Sequence, residues 1–189
     1  MVLTPSTMIA LGTPAPAFSL PDVISKDTIT LKTFADKKAL LLMFICSHCP
    51  FVKHVQEELS QIGRDYQKND VGILAISSND ADAYPEDSSS GLKVMAQELG
   101  FTFSYCYDET QEVARAYQAT CTPDFFLFDQ HRTLVYRGQL DESRPGNDKP
   151  ITGKDLRQAL DSVLSGLPIF AEQIASVGCN IKWKSNKGN

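Results

Sequence analysis

Apolar residues run unbroken from Ala39 to Ile45 and almost so from Val71 to Ser77, the pattern of strands covered on both faces. Between them Val52, Val55, Leu59, Ile62 and Tyr66 recur at steps of three and four, with Lys53, Glu57, Glu58 and Arg64 in the gaps. That spacing predicts a helix after Pro50 that lays one apolar face on the sheet. A polar loop from Asn79 to Ser90 ends in serines suited to cap a second helix, carrying Leu92, Met95, Ala96 and Leu99. A strand over Phe103–Tyr107, a helix over Gln111–Tyr117 and a hairpin pairing Phe125–Phe128 with Leu134–Gly138 follow. Thr152 with Asp155 three positions on predicts a capped start for a last helix bearing Leu156, Leu160, Val163 and Leu164, stopped by Gly166 and Pro168. Ahead of all this lie a proline-rich lead-in, Gly12–Pro21, and a short strand over Thr28–Leu31. Behind it the tail Ile169–Asn189 holds the only tryptophan, Trp183, and is expected to fray at its lysine- and glycine-bearing end. Strands and helices alternating without a repeat predict an α/β fold around one central sheet.

Length and charge narrow the function classes. A chain of 189 residues buries one substantial core, so a single domain spanning 1–189 is expected, with a core over about 11–166 and a tail over 167–189. A net charge of -5 argues against a phosphate-binding face, and hence against nucleic acid or an anionic membrane surface as partner. The longest apolar run is too short to cross a bilayer, and the first residues lack a charged segment followed by an apolar stretch. The expected location is cytoplasmic. Five cysteines with one close pair do not make a stapled secreted scaffold; they point to redox or metal chemistry.

That pair, Cys46 and Cys49 in Ile45-Cys46-Ser47-His48-Cys49-Pro50, sits where the apolar strand gives way to the helical pattern. A helix beginning beside Cys46 aims unpaired N–H groups and its positive dipole end at the sulfur and favours the thiolate. Cys49 is then within reach to displace whatever Cys46 captures. His48, between them, can stabilise the thiolate by hydrogen bond or charge. Zinc held by Cys46, Cys49 and either Cys121 or His54 is the metal alternative, but a second CxxC and histidines at ligand spacing are missing; no metal or cofactor is expected. Cys106 reads as core. Cys121 reads as a small core residue or a third thiol, and Cys179 as a tail anchor or an additional resolving thiol. The cluster Asp80, Asp82, Glu86 and Asp87 lacks the glycine and closing glutamate of a calcium loop and reads as a solvated charged loop without chemistry. Arg144 reads as a surface arginine.

In this order (strand, CxxC at a helix start, strand, helix, strand, helix, Thr-Pro, hairpin, helix) the chain resembles the thioredoxin superfamily, and within it peroxiredoxin-like, AhpC/TSA-related proteins with a CxxC dithiol. The likeness rests on Gly12–Leu20 as a Gly-x-x-Ala-Pro-x-Phe-x-Leu lead-in, on Cys46–Cys49, on Thr122-Pro123-Asp124-Phe125-Phe126 and on Gly178–Trp183, and it spans roughly Leu11 to Gly166. The resemblance implies a thioredoxin-like fold with a central mixed sheet flanked by helices. It further implies Cys46 as the attacking thiolate at an exposed helix tip, Cys49 as the deeper resolving thiol, and a cis Pro123 that turns the Thr122 backbone toward a bound substrate chain. Two departures stand out. The carboxylate and tryptophan that a thioredoxin places before its first cysteine are here Leu40 and Ile45. Aligned on Cys49, the threonine and proline that shape a peroxiredoxin's peroxide pocket are Cys46 and Leu42.

The expected function is thiol–disulfide exchange through a mixed disulfide, with a protein or small-molecule disulfide or thiol as substrate and an external thiol as reductant. The alternatives are a peroxiredoxin-like hydroperoxide reductase and a binding module whose cysteines hold a metal or cluster.

Overall fold

The computed structural model describes residues 3–185. In chain order the elements are β1 (Leu3–Pro5), β2 (Ser19–Pro21), β3 (Thr28–Thr30), β4 (Ala39–Phe44), α1 (Pro50–Tyr66), β5 (Val71–Ser77), α2 (Ser89–Glu98), β6 (Ser104–Tyr107), α3 (Glu112–Ala116), β7 (Cys121–Thr122), β8 (Asp124–Phe128), β9 (Leu134–Gly138), α4 (Lys154–Leu164) and β10 (Val177–Asn180). The central sheet runs β6-β5-β4-β8-β9, parallel across β6-β5-β4 and antiparallel across β4-β8-β9. It is a mixed sheet of the thioredoxin-like kind.

Period-two alternation explains why β4 is apolar at every position. Ala39, Leu41, Met43 and Ile45 pack into one cluster with Val52, Val55 and Leu59 of α1 and Leu156 and Leu160 of α4. Leu40, Leu42 and Phe44 point the other way, into a second cluster with Leu20, Ile29, Ala114 and Tyr117. The two faces of the sheet therefore have separate cores, and the helical stripe read from Val52 to Tyr66 is the buried face of α1. Membrane spanning is not in question for these elements: among the described residues no helix is long and apolar enough.

Two expectations are corrected. The capping box of α4 does not form: Gly153 stands at the N-cap with φ 62, and the Asp155 carboxylate accepts from Gln139 Nε2 at 2.7 Å instead. The loop from Asn79 is not a freely solvated one, because Asp87 inside it is fully buried. Part of the tail is built into the fold. Its segment β10 lies between β1 and β7 in a second sheet, and the Arg115 guanidinium covers the Trp183 ring at 4.4 Å. The terminal piece expected to fray begins at residue 186 and lies outside the described residues.

Ser88 behaves as read, accepting at Oγ from the Gly91 N–H at 3.3 Å to cap α2. Ser88→Ala is expected to lower stability by about 0.5–2 kcal/mol, the usual cost of a lost N-cap, in a urea unfolding curve. An unchanged midpoint would show that the cap contributes nothing.

Candidate active site

The dithiol sits at the C-terminal end of β4, where the strand is tied down on both sides. The Ile45 N–H donates to the Ile76 carbonyl at 3.0 Å, and the Tyr105 hydroxyl donates to the Ile45 carbonyl at 3.1 Å. The chain then turns through Cys46, Ser47 and His48, and α1 starts at Pro50 with Cys49 as its N-cap. Proline at the first helical position suits this start, since it has no N–H to leave unpaired.

That boundary moves the charge. The helix N-terminus faces Cys49, whereas the sequence placed it beside Cys46, and neither sulfur is at an exposed tip: Cys46 is 1% and Cys49 0% exposed. Hydrogen bonding from the Cys46 thiol, then from Cys179, Thr122 and the Val52 N–H, holds Cys49 below its ordinary thiol value against the opposing effect of burial. Burial first, then the bond to Cys49 and the negative charge of Asp87, push Cys46 well above its own. The two thiols of the pair are thus shifted in opposite directions. When Cys49 is protonated, its S–H has the Thr122 carbonyl as acceptor at 3.2 Å.

Thr122 and Pro123 lie opposite the thiols. The Thr122-Pro123 peptide is cis, as the resemblance implied, and Thr122 Oγ1 is 3.4 Å from Cys46 Sγ. Cys179 is the nearest further thiol, with Sγ 2.9 Å from Cys49 Sγ. Cys121 is buried beside it and points away, 3.7 Å from the Pro123 carbonyl, and burial raises its thiol. Asp124, next along, is fully buried, and burial lifts its carboxyl to about 7. Cys106 is buried in the second core.

The residue the sequence reading missed is Asp87. Its Oδ2 lies 2.5 Å from His48 Nδ1 and accepts from Asn79 Nδ2 at 2.8 Å, while its Oδ1 accepts from the Ser47 N–H at 2.8 Å and the Ser47 hydroxyl at 2.9 Å. Burial disfavours the charge, yet the hydrogen bonds from His48, Asn79 and Ser47 outweigh it and keep the carboxyl below its usual range. A buried carboxylate thus stands beside the dithiol turn, brought by the loop after β5 and not by β4, where Leu40 lies. Nothing local marks it: Asp87 stands among acidic neighbours, and only the turn over Pro85–Asp87 folds it inward. His48 is further held by stacking on Tyr84, with ring centroids 4.7 Å apart.

Neither zinc set considered from sequence assembles: the converging ligand atoms among the described residues include none from Cys49, Cys121 or His54, and His54 Nε2 pairs with Ser143 Oγ at 2.7 Å. Among the described residues the metal-ligand atoms that converge, within 4.8 Å of one another, belong to Cys46, His48 and Asp87, and two of the three already bond to each other. Arg144 is half-buried rather than a free surface cation, donating to the Asp141 and Ser143 carbonyls and to Gln139 Oε1.

The chain matches a known family: the AhpC/TSA family model covers residues 11–137. The chain belongs to the AhpC/TSA family. No curated protein matches it. Among solved structures, this AhpC/TSA-family chain is 52% identical to an uncharacterized conserved protein from Geobacillus kaustophilus, with 98% of each chain covered and a TM-score of 0.96. It is 46% identical to a hypothetical protein from Sinorhizobium meliloti, over 97% of this chain and 100% of that one, with a TM-score of 0.95. A thiol:disulfide interchange protein of the thioredoxin family from Chlorobium tepidum, 17% identical over 82% of this chain and 98% of that one, has a TM-score of 0.63 and shares the fold.

Proposed function

We propose that this AhpC/TSA-family protein is a thiol–disulfide oxidoreductase in which Cys49 attacks and Cys46 releases. The observation that carries the reading is where the two thiols stand: Cys49 is the N-cap of α1 with Cys179 Sγ 2.9 Å from its own sulfur and is held below its ordinary thiol value, while Cys46, near the half-buried His48–Asp87 pair, is pushed above its own. Expressed as steps, the Cys49 thiolate attacks one sulfur of a substrate disulfide, forming the mixed disulfide and expelling the other sulfur as a thiolate. Cys46 then loses its proton to the His48–Asp87 pair and attacks Cys49 Sγ, which expels the second substrate thiolate and leaves a Cys46–Cys49 disulfide. Two electrons have passed to the substrate. An external thiol returns them to the protein.

This order reverses the one implied by the resemblance, and its physical basis is the helix start. The N-terminus of a helix and its dipole favour negative charge on the residue at the N-cap, and that residue is Cys49. A substrate hydroperoxide is the competing reading, with Cys49 as the oxidised sulfur; the residue placed where a peroxiredoxin has threonine is Cys46, which is already engaged with Cys49.

Equilibrating the protein with mixtures of reduced and oxidised dithiothreitol, followed by alkylation and non-reducing peptide mapping, tests the proposal. A reversible two-electron transition with a Cys46–Cys49 bridge is expected, together with thiol-driven reduction of hydroxyethyl disulfide. Consumption of hydroperoxide without any exchange on that disulfide, or absence of the bridge at every potential, would overturn it.

A further inference from the structure

The resemblance leaves the Thr122 backbone open to pair with an incoming substrate strand, and in this molecule that edge is filled. Strand β10 runs antiparallel to β7 with Cys179 opposite Thr122 and Asn180 opposite Cys121, and the Ile181 N–H donates to the Thr120 carbonyl at 3.0 Å. The pairing sets Cys179 Sγ 2.9 Å from Cys49 Sγ. A strand added to the edge beside the reacting sulfur, with a thiol directed at it, is the arrangement a substrate polypeptide would take up during exchange.

Two features show that this fit is built. Gly178 lets the strand approach closely: a Cβ there would lie 2.0 Å from the Thr122 carbonyl oxygen, which is backbone and cannot move aside. The segment beyond the strand is also fastened to the site loops. The Lys182 carbonyl accepts from the Asp80 N–H and from Gln111 Nε2, both at 2.8 Å, and the Lys182 N–H donates to Asn79 Oδ1 at 2.8 Å. Asn79 in turn donates to Asp87, so the tail and the His48–Asp87 pair are joined through one side chain.

We propose, resting on the exchange chemistry above, that the tail strand is the protein's internal substrate and that Cys179 is a third redox thiol able to take Cys49 into a Cys49–Cys179 disulfide. The exchange balances in either of two ways. From a mixed disulfide, Cys179, whose thiol burial keeps protonated, gives up its proton as it attacks Cys49 Sγ, and the expelled substrate sulfur carries that proton away as a thiol. From the Cys46–Cys49 disulfide, Cys179 attacks the same sulfur and expels Cys46 as a thiol, with no net oxidation. Cys46 is thereby freed while the enzyme stays oxidised, and an extended protein substrate competes with β10 for the Thr122 edge.

The test uses the full chain carrying Cys46→Ser, oxidised with hydroxyethyl disulfide, quenched with acid and mapped without reduction. The expected product is a Cys49–Cys179 linked peptide, lost when Cys179→Ala is added. It is also lost when Gly178→Val is added, which keeps the thiol but prevents its presentation; each of these double variants should instead hold the mixed disulfide on Cys49. A Cys46→Ser protein that accumulates only the mixed disulfide overturns the inference, as does a bridge that persists at full yield in the Gly178→Val background. Wild-type protein mapped alongside separates the two readings: a Cys46–Cys49 bridge in wild type with no Cys49–Cys179 bridge in Cys46→Ser sinks only the internal substrate. Absence of both sinks the exchange chemistry itself.

Discussion

Cys49→Ser is expected to lower turnover of hydroxyethyl disulfide by on the order of 10³-fold or more, the scale on which removing a covalent nucleophile acts. A serine hydroxyl at the N-cap stays protonated and cannot attack sulfur, although it can still cap α1, so the fold should survive the change. The decisive comparison is with the other thiol. In a Cys46→Ser, Cys179→Ser double variant the attack still occurs and the reaction stops at a mixed disulfide on Cys49, visible as a mass increase of one substrate half. Cys49→Ser should accumulate no such adduct. If the adduct forms instead on Cys46 in the Cys49→Ser protein at the wild-type rate of attack, the thiolate is not where the helix start puts it.

Asp87→Ala should cost about 3–5 kcal/mol of stability, because it deletes a buried carboxylate and leaves the Ser47 N–H, the Asn79 amide and the His48 ring without their partner. The milder Asp87→Asn should keep the fold and slow release of the mixed disulfide by Cys46 without slowing its formation at Cys49. A burst of mixed disulfide followed by slow closure is the expected kinetic record; equal slowing of both phases would assign Asp87 a purely structural role. The pH dependence follows from the direction of its shift. The folded carboxyl titrates below the unfolded one, so its contribution to stability is fully present above the unfolded value near about 4 and disappears as pH falls through the lowered folded value. The stability gap between wild type and Asp87→Asn should therefore narrow below about pH 4 in denaturant titrations, and a gap that widens there would contradict the assignment.

The coupling between these two predictions runs through the CxxC turn. Asp87 holds the backbone of Ser47, and the Ser47 hydroxyl also donates to the Glu86 carbonyl at 2.5 Å, so one acidic loop fixes how the residues between the thiols lie. The same loop carries Asn79, which meets the tail. Substitutions in it should consequently alter both the release step and the docking of β10.

Much of this architecture is legible in the residue order because its causes are local. The unbroken run Ala39–Ile45 has to be a strand covered on both faces, the three-and-four spacing from Val52 to Tyr66 has to be a helix with one buried side, and Val71–Ser77 matches β5 residue for residue. The dithiol at the strand-to-helix junction and the Thr-Pro loop are likewise contiguous motifs, and their meeting across the sheet follows from β8 pairing with β4. The register of a helix start by one turn is a finer matter. It decided which sulfur faces the N–H groups, and nothing in Cys-Ser-His-Cys-Pro settles it without the packing around Ile45 and Thr122.

Asp87 and Asn79 became parts of the site only through tertiary structure, and for Cys179, read from the sequence as a tail anchor or an additional resolving thiol, only tertiary structure set its sulfur 2.9 Å from Cys49. Asp87 sits in an acidic stretch whose sequence is that of a solvated loop, and its burial depends on Ser47 and His48 arriving from the dithiol turn and on Asn79 folding back from the start of its own loop. Cys179 lies 130 positions from Cys49, on a four-residue strand that has no periodicity to announce it and exists because β1 and β7 offer it two edges. Sequence alone thus determined the core, the layers and the dithiol, where neighbouring residues share one cause. The carboxylate beside His48 and the approach of Cys179 to Cys49 were decided by long-range hydrogen bonds and close backbone approach, which depend on the completed fold.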